Sequence, residues 1–251
     1  MAGNSVKKYA VDLHIHTALS PCASDDMTPI NILNMAKLCG IDIIAITDHN
    51  SCKNVGASIE ASKHLDILVI PGMEVTTKEE AHMICLFPDL ERALEFQDMV
   101  YARLTPVKNR KEYFGNQLIL DPMGNVLGEE EQLLLTSTSL SIDDVVNQVT
   151  KNEGICIPSH IDRQHYSVLS NLGFIPKNLG IKAVEISKNV SVNDFAKRFP
   201  DIKNYLAIKS SDAHSLEDIP MPTTFMQLNG KTFYDVASVI EGQERGKVIL
   251  E

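Results

Sequence analysis

Alternating strand and helix signals predict an α/β protein built around one parallel sheet, and three observations carry that expectation. Short apolar runs recur at Val11 to Ile15, Ile41 to Thr47, Leu68 to Pro71, His82 to Phe87, Ile155 to Pro158, Ala183 to Ile186, Leu206 to Lys209 and Thr224 to Leu228. Several are continuously apolar, as strands buried on both faces are. Segments of helical period separate most of them, which is the pattern of helices packed on a parallel sheet. Polar, chemistry-bearing residues then gather where the runs end, the position at which closed barrels of this kind carry their sites.

In chain order, Val11 to Ile15 opens the sheet. Thr28 and Pro29 supply an N-cap and a first-turn proline for a helix through Ile32, Leu33, Met35 and Ala36, which Gly40 stops. A second helix is expected over Asn54 to His64, and a third from Leu90 to about Leu104. Between Thr105 and Thr138 the alternation breaks. There Gln117 to Leu120 and Val126-Leu127 flank Asp121-Pro-Met-Gly-Asn and read as a β-hairpin, and Glu129 to Glu131 reads as a solvated helix start. This segment is expected to be an insertion of about residues 105–138 within a single domain covering 1–251, serving as a lid, a surface decoration or a dimer contact. Ser141 and Asp144 form a capping-box pattern for a helix ending near Gly154, and an amphipathic helix runs from about Thr232 to Glu241.

The bulk numbers exclude several classes. A net charge of −10 argues against a basic surface that grips nucleic acid by its phosphates, so no stable nucleic-acid partner is expected. No apolar stretch is long enough to span a bilayer, and the N-terminus lacks a long apolar leader; a soluble, cytoplasmic protein without membrane contact is expected. The five cysteines show no Cys-x-x-Cys spacing, which indicates neither a disulfide framework nor a structural zinc site. Cys39, Cys85 and Cys156 sit in apolar runs, whereas Cys22 and Cys52 fall in loops beside the strand ends that carry the chemistry.

That chemistry begins with His14 and His16. Residues i and i+2 of a strand face the same way, so two imidazoles share one face where the first strand opens into a loop. Asp212 and His214 repeat the spacing near the other end of the chain, after the apolar run Tyr205 to Ile208. Asp48 and His49 follow the second run, Glu74 the third, His82 opens the fourth, and His160 follows Ile155 to Pro158 with Arg163 three residues on. Imidazole with carboxylate suits zinc, manganese or iron and does not suit calcium. So many ligands exceed one ion's needs, which points to two or three divalent metals able to bind a phosphate and activate water. Gly-x-Ser-x-Gly, the P-loop and Gly-x-Gly-x-x-Gly are absent. Asp12 and Asp48 read as acceptors for the outer ring N–H of a metal-ligating histidine. Arg163 is a candidate for bidentate phosphate binding or for a surface ion pair, and His165 for substrate contact.

Taken in order, Asp-Leu-His-Ile-His-Thr at 12–17, Ile-Thr-Asp-His at 46–49, Pro-Gly-Met-Glu at 71–74, His82, Pro-Ser-His at 158–160 and Ser-Asp-Ala-His at 211–214 resemble the ordered motifs of the PHP (polymerase and histidinol phosphatase) family. The resemblance spans about residues 9–228. It implies a distorted (β/α)7, TIM-barrel-like fold with a trinuclear zinc, manganese or iron site, and phosphoesterase activity. It implies His14, His16, His49, Glu74, His82, His160, Asp212 and His214 as metal ligands, with Glu74 bridging. Glu74, His160 and Asp212 are the expected catalytic groups. A ninth ligand in such proteins sits in a Ser-Asp-Gly loop; here the loop is longer, and Asp26, or else Asp25, is expected to fill the role. The function expected is hydrolysis of a small phosphomonoester, plausibly a nucleotide, or of a short oligonucleotide. Alternatives are an amidohydrolase, for which Glu74 stands where a carboxylated lysine is usual, and a metal-stabilised binding module without catalysis.

Overall fold

A computed structural model of the chain describes residues 6–242 and 246–251. Its frame is a curled seven-stranded sheet made of β1 (Lys7–Ile15), β2 (Ile43–Ile46), β3 (Leu68–Thr76), β4 (His82–Leu86), β7 (Ile155–Pro158), β10 (Thr224–Leu228) and β11 (Val248–Leu250), in the order β11-β10-β1-β2-β3-β4-β7. A parallel pair, β8 (Ala183–Glu185) and β9 (Leu206–Ile208), fills the gap between the two edges. Hydrogen bonds from Ile161 N to Glu185 O at one side, and between Lys209 and the Thr224 hydroxyl at the other, join this pair to the ends of β7 and β10. The result is the expected distorted barrel.

The expectation of an all-parallel sheet needs correction. β1, β2 and β3 are parallel, but β4 runs against both β3 and β7, and β10 against β1. Only a short turn over 77–81 joins β3 to β4, too little chain for the crossover that parallel strands require.

β2 divides its residues between two cores. Ile44 and Ile46 face a cluster with the helices, including Ile32, Leu33, Val55, Phe96 and Val149, while Ile43 and Ala45 face a second cluster with Val11, Leu13, Ile70, Ile84, Ile157 and Ile208. The second cluster is the barrel interior, closed at one end by Phe233, Val236 and Ile240 of α8 (Phe233–Ile240). The helices α1 (Pro29–Cys39), α2 (Val55–Ser62), α3 (Leu90–Tyr101) and α5 (Ile142–Lys151) cover the outside. Their ends follow the sequence: Thr28 accepts from Asn31 N, Gly40 takes the left-handed conformation at φ 73°, and Ser141 and Asp144 form a capping box.

Residues 105–138 hold a short helix α4 (Lys111–Phe114) and the hairpin β5 (Leu118–Leu120) and β6 (Val126–Glu129). The expected helix start at Glu129 to Glu131 is not formed; β6 runs through Glu129, and Glu130 pairs with Lys53 and accepts from the Tyr101 hydroxyl. Two shorter helices, α6 (Val168–Leu172) and α7 (Val192–Arg198), complete the chain. Among the described residues no helix is long and apolar enough to cross a membrane.

Candidate metal centre

Backbone pairing that continues past the strand ends assembles the site. His16 N donates to Ala213 O, and Ile15 bridges Ala213 in parallel, so the His14/His16 pair lies beside Asp212 and His214. Asn50 N donates to Glu74 O and Glu74 N to Asp48 O, which sets His49 next to Glu74. Reversal of β4 brings its first residue, His82, to the same end, where Ser159 N donates to His82 O and His82 N to Tyr166 O. His160, Asp212 and Tyr166 have left-handed backbones at φ 29°, 51° and 56°. Non-glycine residues hold such conformations only where the surroundings enforce them, commonly at functional sites.

Six of the chain's eight histidines meet here, and a single carboxylate organises five of them. Glu74 Oε1 lies 3.3 Å from His14 Nε2, 3.1 Å from His82 Nδ1 and 3.2 Å from His160 Nε2. Its other oxygen lies 3.6 Å from His16 Nε2 and 3.1 Å from His49 Nδ1. Asp212 Oδ1 is 3.3 Å from both His14 Nε2 and His16 Nε2, and those two ring nitrogens face each other at 3.1 Å. His14, His16 and Glu74 are almost wholly buried.

The outer ring nitrogens fix which nitrogen faces inward. Glu185, buried at the end of β8, takes His14 Nδ1 at 3.0 and 3.1 Å and also accepts from His160 N. His16 Nδ1 lies 2.9 Å from the Ser20 hydroxyl, which donates to Asp48. His214 Nδ1 donates to its neighbour's carbonyl, Asp212 O, at 2.9 Å. In each case the outer nitrogen holds the proton and the inner one offers a lone pair.

These contacts correct the roles expected of two aspartates. Asp48 binds Thr17 and Ser20 and reaches His16 only through Ser20. Asp12 accepts from the backbone of His14 and Ser211 and touches no ring. Glu185, which sequence reasoning missed, does for His14 what was expected of them. Its signal was an acid at the end of the apolar run Ala183 to Ile186.

Electrostatics follow from the crowding. Burial raises Glu74, but His82 and His14 outweigh it and hold the carboxyl well below its usual range; Asp212 is likewise pushed up by burial and pulled well down by His14 and His16. Burial, with His214 and His49 adding like charge, drives His16 well below its usual value, and burial also lowers His82 against Glu74. His14 moves the other way, burial being outweighed by Glu185, Asp212 and Glu74. Burial lowers His49 and His214 too, but Cys22, with Glu74 for the one and Asp212 for the other, outweighs it and raises both. Two anions thus sit among six crowded imidazoles, a donor set for divalent cations.

Two tests of fit support this. The Nδ1 atoms of His49 and His82, the ring nitrogens turned toward Glu74, are buried without a well-formed hydrogen bond, a costly condition unless another partner takes the lone pair. Three overlapping groups, His16/His49/His214, His14/His16/Glu74 and His49/Glu74/His82, each bring their donor atoms within 4.8 Å of one another and could hold an ion.

The remaining candidates fall at the rim. The cluster opens into a cavity of about 260 Å³ lined by Cys22, His49, Glu74, His82, Leu135, His160, Arg163, Tyr166, Asp212 and His214. Arg163 is half-exposed and pairs with Asp212 Oδ2 at 2.6 Å, so it is held at the site and is not a remote surface pair. His165 is exposed and lines an adjoining cavity of about 430 Å³ together with Arg163 and Tyr166. Asp26 is not brought in: it is exposed, and only its carbonyl is engaged, by Asn31 and Thr28. Asp25 is exposed as well and accepts from Asn116. Cys22 is the loop residue that reaches the cluster; its thiol contacts His49 and His214.

A family model described as PHP domain matches residues 12–173. Among solved structures, the lesion-specific endonuclease PfuEndoQ from Pyrococcus furiosus superposes with a TM-score of 0.76 at 20% identity, over 96% of this chain and 58% of that one. A complex of Endonuclease Q with a 27-mer duplex carrying an abasic lesion at its active site gives a TM-score of 0.71 at 19% identity, with the same coverage of both chains. YqxK of Bacillus subtilis, uncharacterized, is 24% identical over 97% of this chain and 65% of its own length. The chain therefore spans less than two thirds of each of these proteins, and the structural likenesses speak for the fold. They overturn one expectation, that of a small phosphorylated substrate with no nucleic-acid partner: a solved chain of this fold takes a DNA duplex at its active site. Net charge is a weak ground for excluding nucleic acid, because it averages over a whole surface and says nothing about the charge at one cavity.

Proposed function

The chain belongs to the PHP domain family of metal-dependent phosphoesterases, and from that premise we propose that it hydrolyses phosphodiester bonds in nucleic acid. The observation that carries the reading is the single carboxylate, Glu74, shared by five inward-facing imidazoles at the floor of a cavity that opens onto exposed Arg163, His165 and Tyr166.

His14, His16, His49, Glu74, His82, His160, Asp212 and His214 are the proposed ligands of two or three divalent ions, for which zinc, manganese and iron all suit the donors. When bound, such ions supply Lewis acidity to the phosphate and to an attacking water. The chain's own groups do the rest. Glu74 spans the His14/His82/His160 and His16/His49 groups with its two oxygens, and Asp212 adds a second carboxylate beside His14 and His16. His160 is held by Glu185 through its backbone, so its ring keeps a fixed aim. Arg163, anchored by Asp212, lines the cavity and is the proposed grip on a phosphate oxygen. Tyr166 presents a half-exposed ring backed by His82, with centroids 4.8 Å apart, a platform on which a base can stack. His165 contacts the strand beyond it.

The test is cleavage of labelled DNA, both intact and carrying one abasic site, by chelated and metal-restored protein. Metal-dependent nicking is expected, abolished in Glu74→Ala. Tyr166→Ala should raise KM about tenfold, since stacking contributes about 1–3 kcal/mol per base, while Tyr166→Phe should not. Phosphate release from monoesters with every nucleic acid left intact would overturn the proposal.

A further inference from the structure

The loop between β1 and α1 is pinned on three sides. Ser24 N donates to His214 O at 2.8 Å, and Asn116 donates to Asp25 at 2.8 Å. At Gly115, left-handed at φ 98°, an added Cβ would lie 2.1 Å from Pro21 O, so the backbone of residues 115–116 presses directly on the residue before Cys22. These contacts hold the Cys22 thiol against His49 and His214, at the mouth of the cavity.

The three imidazoles on that side, His16, His49 and His214, form a donor group that contains no carboxylate of its own. His49 turns Nδ1 to Glu74 Oε2, 3.1 Å away, and its ring also contacts the Cys22 thiol. Glu74 and Asp212 lie 3.1 to 3.6 Å from these rings but are shared with His14, and Glu74 with His82 and His160 as well, so an ion held here gains a ligand and negative charge of its own from a thiolate, a donor that zinc takes. The two aspartates of the loop do not supply that ligand: neither lines the cavity, and Asp25 is taken by Asn116, whereas Cys22, though partly open to solvent, does line it.

We propose that Cys22 is the loop ligand of this centre, completing the His16/His49/His214 group with sulfur where the family pattern places a carboxylate. The proposal concerns the metal and holds for any substrate. A soft donor biases this position toward zinc or ferrous iron and away from manganese and magnesium.

X-ray absorption at the zinc edge of the zinc-loaded full chain tests it. A sulfur shell at about 2.3 Å is expected. Cys22→Ser should lose that shell and about one zinc per chain by elemental analysis. Cys22→Asp should lose the shell but keep the zinc, which also shows that the loop still folds. Cys39→Ser, remote from the cavity, should leave both unchanged. A nitrogen and oxygen shell alone in the parent protein, or a sulfur shell that survives Cys22→Ser, overturns the proposal. A parent protein that takes up no divalent metal at all would instead overturn the metal-centre reading on which the proposed function stands.

Discussion

Replacing Glu185 probes the centre without touching a proposed ligand. Its carboxylate is 2% exposed and holds His14 Nδ1 at 3.0 and 3.1 Å and His160 N at 2.9 Å. Hydrogen bonds to a charged group contribute about 1.5–3 kcal/mol each, and an outer partner of a metal-binding histidine is typically worth about 10–100-fold in metal affinity. Glu185→Gln can still accept from His160 N but no longer offers His14 an anion. It should fold, lose about 1–2 kcal/mol of stability by the same range, and bind metal about 10–100-fold more weakly. Glu185→Ala leaves two buried donors unpaired and should lose about 3–5 kcal/mol. Competition with a chromophoric chelator reads the affinity, and denaturant melts of metal-free protein read the stability. Unchanged affinity in Glu185→Gln would refute the reasoning that this residue sets the tautomer and aim of His14.

Burial lifts the Asp12 carboxyl from 3.8 to about 6, against hydrogen bonds from Ser211 and His14 that pull it down. An acid raised in the folded state stabilises most below its unfolded pKa and loses that contribution as pH rises through about 6, about 3 kcal/mol in all. Asp12→Asn should therefore gain on the parent between pH 4 and 7 in urea melts; parallel curves would contradict this. At Gly72 a Cβ would meet Leu86 Cδ2 at 2.7 Å and Cys85 O at 2.9 Å. Gly72→Ala should thus force β3 from β4, lower stability by about 1–3 kcal/mol and weaken metal binding through the shift of Glu74. An unchanged Tm would argue against so tight a pairing.

Much of this was legible in the sequence because local chemistry and tertiary outcome agree. Thr28-Pro29 with Gly40, and Ser141 with Asp144, delimit α1 and α5 as read. The inward-facing histidines, Glu74 and Asp212 were found because each follows or opens an apolar run. What was not legible depends on contacts between distant residues. Glu185 and His14 are 171 residues apart, so nothing local distinguishes Glu185 from an ordinary acid at a strand end. Asp48 stands beside His49 in sequence, yet in space it serves Thr17 and Ser20. The choice between Asp26 and Cys22 turns on how one loop folds against residues 115–116, and loop conformation is what residue type alone predicts least. The direction of β4 was missed because an apolar run reads the same both ways.

That reversal has an architectural consequence. In a regular alternating barrel each helix returns to the far end, so only loops from strand to helix border the site. Here β4 descends, α3 climbs back, and α5 starts again at the upper end, where Thr138 N donates to Thr76 O and Ile142 N to Glu79. A helix-to-helix connection, residues 102–141, is thereby delivered to the mouth of the cavity, and it contributes Leu135 to the lining. Chain can be added or removed in it without altering the register of any strand in the barrel. The fold therefore offers one address at which substrate preference is open to change, provided that residues 115–116 and the carbonyls of Leu134 and Thr136, which hold the Cys22 loop and Asn50, are kept.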